Sequence, residues 1–113
     1  MSRAPMYDAM ATMFSHAKGT MGLSALDELA TLAEHASDEA RRLSSVCGGL
    51  ACLVEDDASK GRCGSFHDDA AGLFDLLCAL SHSFDTIAGM AHVGDEARFL
   101  ANERRAAEGR VKP

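Results

Sequence analysis

The chain of 113 residues has no tryptophan, one tyrosine and only two prolines, Pro5 and Pro113. Because proline interrupts helices, the stretch between these two positions contains no residue that forces a helix to end. β-Branched residues are scarce, whereas alanine and leucine are abundant, and this balance favours helix over strand. No apolar run approaches the roughly 18 residues that a membrane-spanning helix needs.

Motifs of catalysis and of metal binding are also absent. The four cysteines form no Cys-x-x-Cys pair, and the five histidines form no His-x-x-x-His pair. No glutamate is followed by histidine three residues later, which argues against a di-iron bundle. We therefore expect no enzyme activity, no catalytic residue, no metal and no cofactor. One alternative stays open, a small helical thiol or zinc protein that uses Cys52, Cys63 and His67 near the end of a hairpin.

The first twenty residues contain charged and polar side chains but no apolar segment of the length found in signal peptides. We therefore expect a cytoplasmic protein. Disulfides are rare in that compartment, so the four cysteines are expected to be free thiols.

Apolar and small residues recur every seven positions between residues 26 and 54. One set comprises Leu26, Ala33, Ala40, Cys47 and Val54, and the other comprises Leu29, Ala36, Leu43 and Leu50. A facing stretch has the same period, with Ala70, Leu77, Phe84 and Ala91 in one set and Leu73, Leu80 and Ile87 in the other. Two such seams are typical of helices that pack against each other.

The sequence thus predicts an all-α protein, a long antiparallel helical hairpin preceded by a short helix. We expect a single helical domain over residues 1–113. Its helices are predicted at 5–18, 23–57 and 65–93, and residues 95–108 form either a short fourth helix or a continuation of the third.

The apolar surface of these helices is wider than one hairpin can cover. Gly48 and Gly49 fall on the outer face of the hairpin, where another helix could approach closely. Met6, Met10 and Met13 lie on one face of the first helix, and methionine suits an adaptable contact. We therefore expect a homodimer that completes a helical bundle, with these residues at its contacts. The alternative is a monomeric bundle in which the first helix acts as the lid.

The formal net charge is −6, and residues 23–93 carry twelve acidic and four basic side chains. A body this acidic repels phosphate, so we expect no direct contact with nucleic acid. Asp56, Asp57, Asp68 and Asp69 cluster at one end of the predicted hairpin. They are the candidate residues for binding a protein partner with a basic surface.

Three segments carry a resemblance to other proteins: Leu23–Leu29, Val46–Leu53 and Asp75–Leu80. In these segments the chain resembles small uncharacterised helical-hairpin proteins of proteobacteria, and this resemblance implies no activity and no site residues.

The function expected from these observations is a non-enzymatic protein–protein interaction module that presents an acidic helical surface. An alternative is an inhibitor borne by a phage or mobile element, which would block a nucleic-acid-binding machine such as a CRISPR complex by occupying its basic surface.

Overall fold

The computed structural model describes residues 4–59 and 70–111, and the regular structure in these two ranges is entirely helical. The α-helices are α1 (Pro5–Ala17), α2 (Leu23–Ala30), α3 (Leu32–Ser59) and α4 (Ala70–Val111), and a short 3₁₀ turn (Lys18–Thr20) follows α1. The expected all-α fold with a long helical hairpin is confirmed. No helix in the described ranges is long and apolar enough to cross a membrane.

The long helix predicted at 23–57 is in fact two helices, because the chain is interrupted at Thr31. The Thr31 N–H and hydroxyl both donate to the carbonyl of Glu28, at 3.2 and 2.6 Å. These bonds span three residues instead of four, so the helical turn tightens there and α3 begins afresh at Leu32.

The last helix continues without a break from Ala70 to Val111, so residues 95–108 are a continuation and not a separate helix. Gly94, which directly follows the helix predicted at 65–93, lies inside α4. A glycine within a helix costs about 1 kcal/mol relative to alanine. At this position a Cβ atom would lie 2.4 Å from the backbone nitrogen of Ala33. The glycine therefore lets α3 and α4 approach more closely than any side chain would permit.

One end of the molecule, which we call the head, consists of α1, α2, the start of α3 and α4 from Asp85 onward. Its core is formed by Phe14 of α1, Leu26 of α2, and Val93, Ala97 and Ala101 of α4. The two alanines allow α2 to lie close to α4, while the larger side chains fill the space between the helices. Among the described residues, the buried ones are therefore concentrated in the head.

The other end, which we call the arm, consists of α3 from Leu43 to Ser59 and α4 from Ala70 to Phe84. It accounts for the elongated shape of the molecule, which measures 75 × 29 × 14 Å. None of the arm side chains that the structure describes is buried, and the Leu50, Val54, Leu76 and Leu80 side chains between its helices are half-buried. Two helices alone do not enclose a core.

The predicted seam of α4 is partly wrong. Leu80 and Ile87 are half-buried as expected, but Leu77 and Phe84 are each 56% exposed. Leu76 and Ser83 take the inner positions instead and are half-buried. The predicted seam of α3 holds along most of its length, although Ala40 is exposed.

Candidate functional site

One side of the hairpin carries a groove that we call the groove face. The groove has a volume of about 630 Å³ and begins where the head joins the arm. His35, Glu39, Arg42 and Val46 line it from α3, and His82, Thr86 and Met90 line it from α4. Residue numbers rise along α3 as they fall along α4, which is the order expected of antiparallel helices. Leu53 lies seven residues beyond Val46, on the same flank of α3, and is 57% exposed.

The opposite side of the hairpin carries a row of large apolar residues. Leu73, Leu77 and Phe84 lie on the flank of α4 turned away from His82 and Thr86, because they fall on the other side of the inner positions. All three are exposed. The matching flank of α3 carries small residues at a spacing of three or four, namely Ser37, Ala40, Ser44, Cys47 and Ala51. We call these two rows together the stripe face, and neither row contains a charged side chain.

A second, smaller groove of about 270 Å³ lies in the head. Its lining is apolar and comprises Met10, Met13, Phe14, Ala17, Met21, Leu29, Leu32 and Val93. Leu32 lies one turn before His35 on α3, and Val93 lies one turn after Met90 on α4, so this groove adjoins the groove face.

The methionine row predicted on α1 divides between the core and the surface. Met10 packs against the core and lies close to Gly89. Met13 is 71% exposed and lies at the rim of the smaller groove. Met6 is half-buried, and its backbone N–H donates to Asp85. A role for these residues between two copies of the chain stays a prediction.

The two glycines predicted at a helix contact, Gly48 and Gly49, are exposed. A Cβ atom built on either of them meets nothing within 4 Å. No helix described within this chain therefore packs on them, and a contact with another chain stays a prediction.

The charge of the arm has one sign. Residues 43–59 and 70–84 contain four acidic side chains, Glu55, Asp56, Asp57 and Asp75, and no lysine or arginine. Among the described residues, the arginines closest to the arm in the sequence are Arg41 and Arg42, which pair with Asp38 and Glu39 on the exposed surface of α3. The arm thus combines exposed apolar surface with negative charge.

The predicted acidic cluster is only partly visible. Asp56 and Asp57 lie in the last turns of α3, and Asp56 is exposed. Asp68 and Asp69 lie outside the described residues. The described half of the cluster is at the far end of the arm, about 35 Å along α3 from the start of that helix.

The alternative metal site also falls only partly within the described residues. Cys52 is an exposed free thiol on α3, whereas Cys63 and His67 lie outside the described residues. Within the described parts of the chain, no three His, Cys, Asp or Glu residues come close enough together to hold a metal ion.

Two residues that the sequence did not single out hold the head together. The Asp85 carboxylate accepts hydrogen bonds from the backbone N–H groups of Met6 (2.8 Å) and Tyr7 (2.9 Å), so α4 caps the first turn of α1. Arg104 donates to the carbonyls of Lys18 (3.0 Å) and Met21, near the end of α1 and the start of α2.

These contacts could not be found by looking for local caps. The partners of Asp85 are 78 and 79 residues away in the sequence, and those of Arg104 are 83 and 86 residues away. The sequence shows only an acidic and a basic residue on the same long helix, and such residues are equally typical of a solvent-exposed helix surface.

Comparison with protein-family models, with curated proteins and with solved structures finds no match for this chain. The resemblance to proteobacterial hairpin proteins therefore stays an expectation.

Proposed function

We propose that the protein is a non-enzymatic interaction module whose arm presents an acidic, partly apolar helical surface to a protein partner. The observation that carries the proposal is the combination found on the arm. Val46, Leu53, Leu73, Phe74, Leu77 and Phe84 are all exposed there, and all four charged side chains of the described arm are acidic.

Exposed apolar residues become informative when they are contiguous. A soluble protein normally exposes large apolar side chains singly, and a contiguous patch marks a site of interaction. Val46 lines the groove of about 630 Å³, and the exposed Leu53 lies seven residues further along the same flank of α3. This spacing suits a helix that packs along the groove face.

The charge of the arm indicates the chemistry of the partner. The excess of acidic side chains on the described arm favours a partner whose own anchors are bordered by lysine or arginine. Opposite charges speed the encounter, and the buried apolar contacts slow dissociation. We therefore expect the affinity for the partner to fall as the salt concentration rises, through the association rate above all.

Site-specific photocrosslinking in cells that encode the protein tests this proposal. A benzophenone amino acid replaces Leu53 in one variant and Phe99 in a matched control, since Phe99 is an exposed apolar residue of the head (63%). The expected result is a covalent adduct to one other protein at position 53 and not at position 99.

The adduct is then identified, and the purified partner is titrated with the wild type and with Leu53→Glu. The variant should weaken binding about 10-fold or more, as expected for an anchor residue. A Leu53 adduct that contains only copies of this chain, or no adduct at all, would contradict the proposed function.

A further inference from the structure

We infer that a second copy of this chain covers the stripe face, so that two arms form a four-helix bundle and the groove face stays open for another partner. This inference rests on the proposed function in one respect, namely that the arm is a binding element. It assigns the two faces of the arm to two different occupants.

The first argument is the amount of surface. The chain has an accessible surface of 7866 Å², whereas a compact monomer of 11.9 kDa exposes about 5,900 Å². Part of this difference, about 1,900 Å², lies on the described arm, where Leu77 and Phe84 are each 56% exposed. A standard interface buries roughly 800 Å² on each partner.

The second argument is the lack of charge. Charged residues make up 25% of the chain, yet the two rows of the stripe face contain none over about four turns of α3 and about three turns of α4. The core of an interface between copies is depleted in charge in the same way. The groove face differs, because Glu39 and Arg42 border it.

The third argument is self-complementarity. The stripe face has large side chains on α4 beside small ones on α3, so a two-fold axis along the arms would place the large row of each copy on the small row of the other. Isologous contacts require such a match between two regions of one surface. Every neighbouring pair of helices in this bundle is also antiparallel, as in up-down-up-down bundles.

The positions of the large and small residues along the arm agree with this packing. Because Gly94 lies against Ala33 and the helices are antiparallel, Phe84 is about level with Leu43, and Leu77 is about level with Leu50. A two-fold axis parallel to the arms places equivalent residues of the two copies at the same level along the bundle. Phe84 of one copy would therefore fill the space beside Ala40 and Cys47 of the second copy, and both heads would lie at the same end.

Sedimentation equilibrium of the full-length, reduced protein between 1 and 100 µM tests the inference. The wild type should have twice the 11.9 kDa mass of one chain. Leu77→Glu and Ala51→Arg each place a charge on the stripe face, in the large and the small row respectively, and should raise the dimer dissociation constant about 100-fold. Circular dichroism confirms that each variant keeps its helices.

Val46→Glu is the matched control, because Val46 is as exposed as Leu77 (53% against 56%) but lies on the groove face. This variant should dimerise as the wild type does. A monomeric wild type at 100 µM would overturn the inference, as would a Val46→Glu variant that dissociates as readily as Leu77→Glu.

A distance between the two heads tests the orientation. In a variant whose native cysteines are replaced, a spin label at Glu103→Cys should give a distance of about 20–40 Å between copies when the heads lie together. Arms paired in the opposite direction would separate the labels by about 65 Å, given a rise of 1.5 Å per residue, and would overturn the heads-together arrangement.

The test of the dimer and the test of the proposed function can fail independently of each other. A wild-type monomer that still forms a Leu53 adduct with another protein overturns the dimer and leaves the interaction module intact. A dimer with no such adduct supports the second copy and contradicts the heterologous partner.

Discussion

Replacing Gly94 by alanine should destabilise the protein, although alanine is the better helix former. The added Cβ atom would lie 2.4 Å from the backbone nitrogen of Ala33 and 3.0 Å from its Cα. The atoms in contact belong to a helical backbone, so they cannot move aside as the end of a flexible side chain would. α3 and α4 would therefore have to separate at this point of the head.

The size of the effect follows from two opposing terms. Inserting a methyl group into a well-packed contact typically costs about 1–3 kcal/mol. The change from glycine to alanine inside a helix returns about 1 kcal/mol. We therefore expect a net loss of up to about 2 kcal/mol, which lowers the melting temperature by up to roughly 8–16 °C in a domain of this size.

Gly48→Ala and Gly49→Ala are the matched controls, because both glycines lie within α3 and a Cβ atom on either meets nothing within 4 Å. Each control should raise the free energy of unfolding by up to about 1 kcal/mol. Thermal and urea unfolding followed by circular dichroism measures all three variants. A Gly94→Ala protein as stable as these controls would refute the close approach of α3 and α4.

Three further substitutions test the packing of the head. Asp85→Ala should lower the free energy of unfolding by about 0.5–2 kcal/mol, since it removes the acceptor of two backbone N–H groups of α1. Hydrogen exchange should become faster in the first turn of α1. The control Asp75→Ala, on the exposed arm, should leave this exchange unchanged. Phe14→Ala should cost about 3–5 kcal/mol in urea unfolding because the ring is 6% exposed, and the same change at the exposed Phe99 should cost less than about 0.5 kcal/mol. Arg104→Lys should lower the melting temperature, because an ammonium group cannot reproduce the fork that reaches two carbonyls, and an unchanged value would show that one contact suffices.

The helical class was predictable because it depends on local features. A lack of internal proline, an abundance of alanine and leucine, and seven-residue spacing all favour helices that pack in pairs. The interruption at Thr31 was not predictable in the same way. It depends on a hydroxyl that donates to the carbonyl of Glu28, and threonine is also found within unbroken helices.

The candidate site was less predictable than the fold. The excess of acidic residues in the described arm could be read directly from the sequence, but the division of the arm into two different faces could not. To predict that division one must know which residues of α4 face α3, and the sequence offers two neighbouring rows of comparable apolarity. Leu77 and Phe84 are the more apolar choice, yet Leu76 and Ser83 take the inner positions.

The reason lies in the head, where two glycines set the rotation of α4. Gly94 lies against Ala33 of α3, and Gly89 lies against Tyr7 and Met10 of α1; five residues separate them, so they point about 140° apart around the helix. Once Gly94 faces α3, the unbroken helix places Ser83 within about 20° of the same direction and turns Phe84 about 80° away. The apolar row of the stripe face is thus exposed because contacts in the head fix the rotation of α4. The fold of one chain makes no use of this row, and pairing with a second copy would cover it.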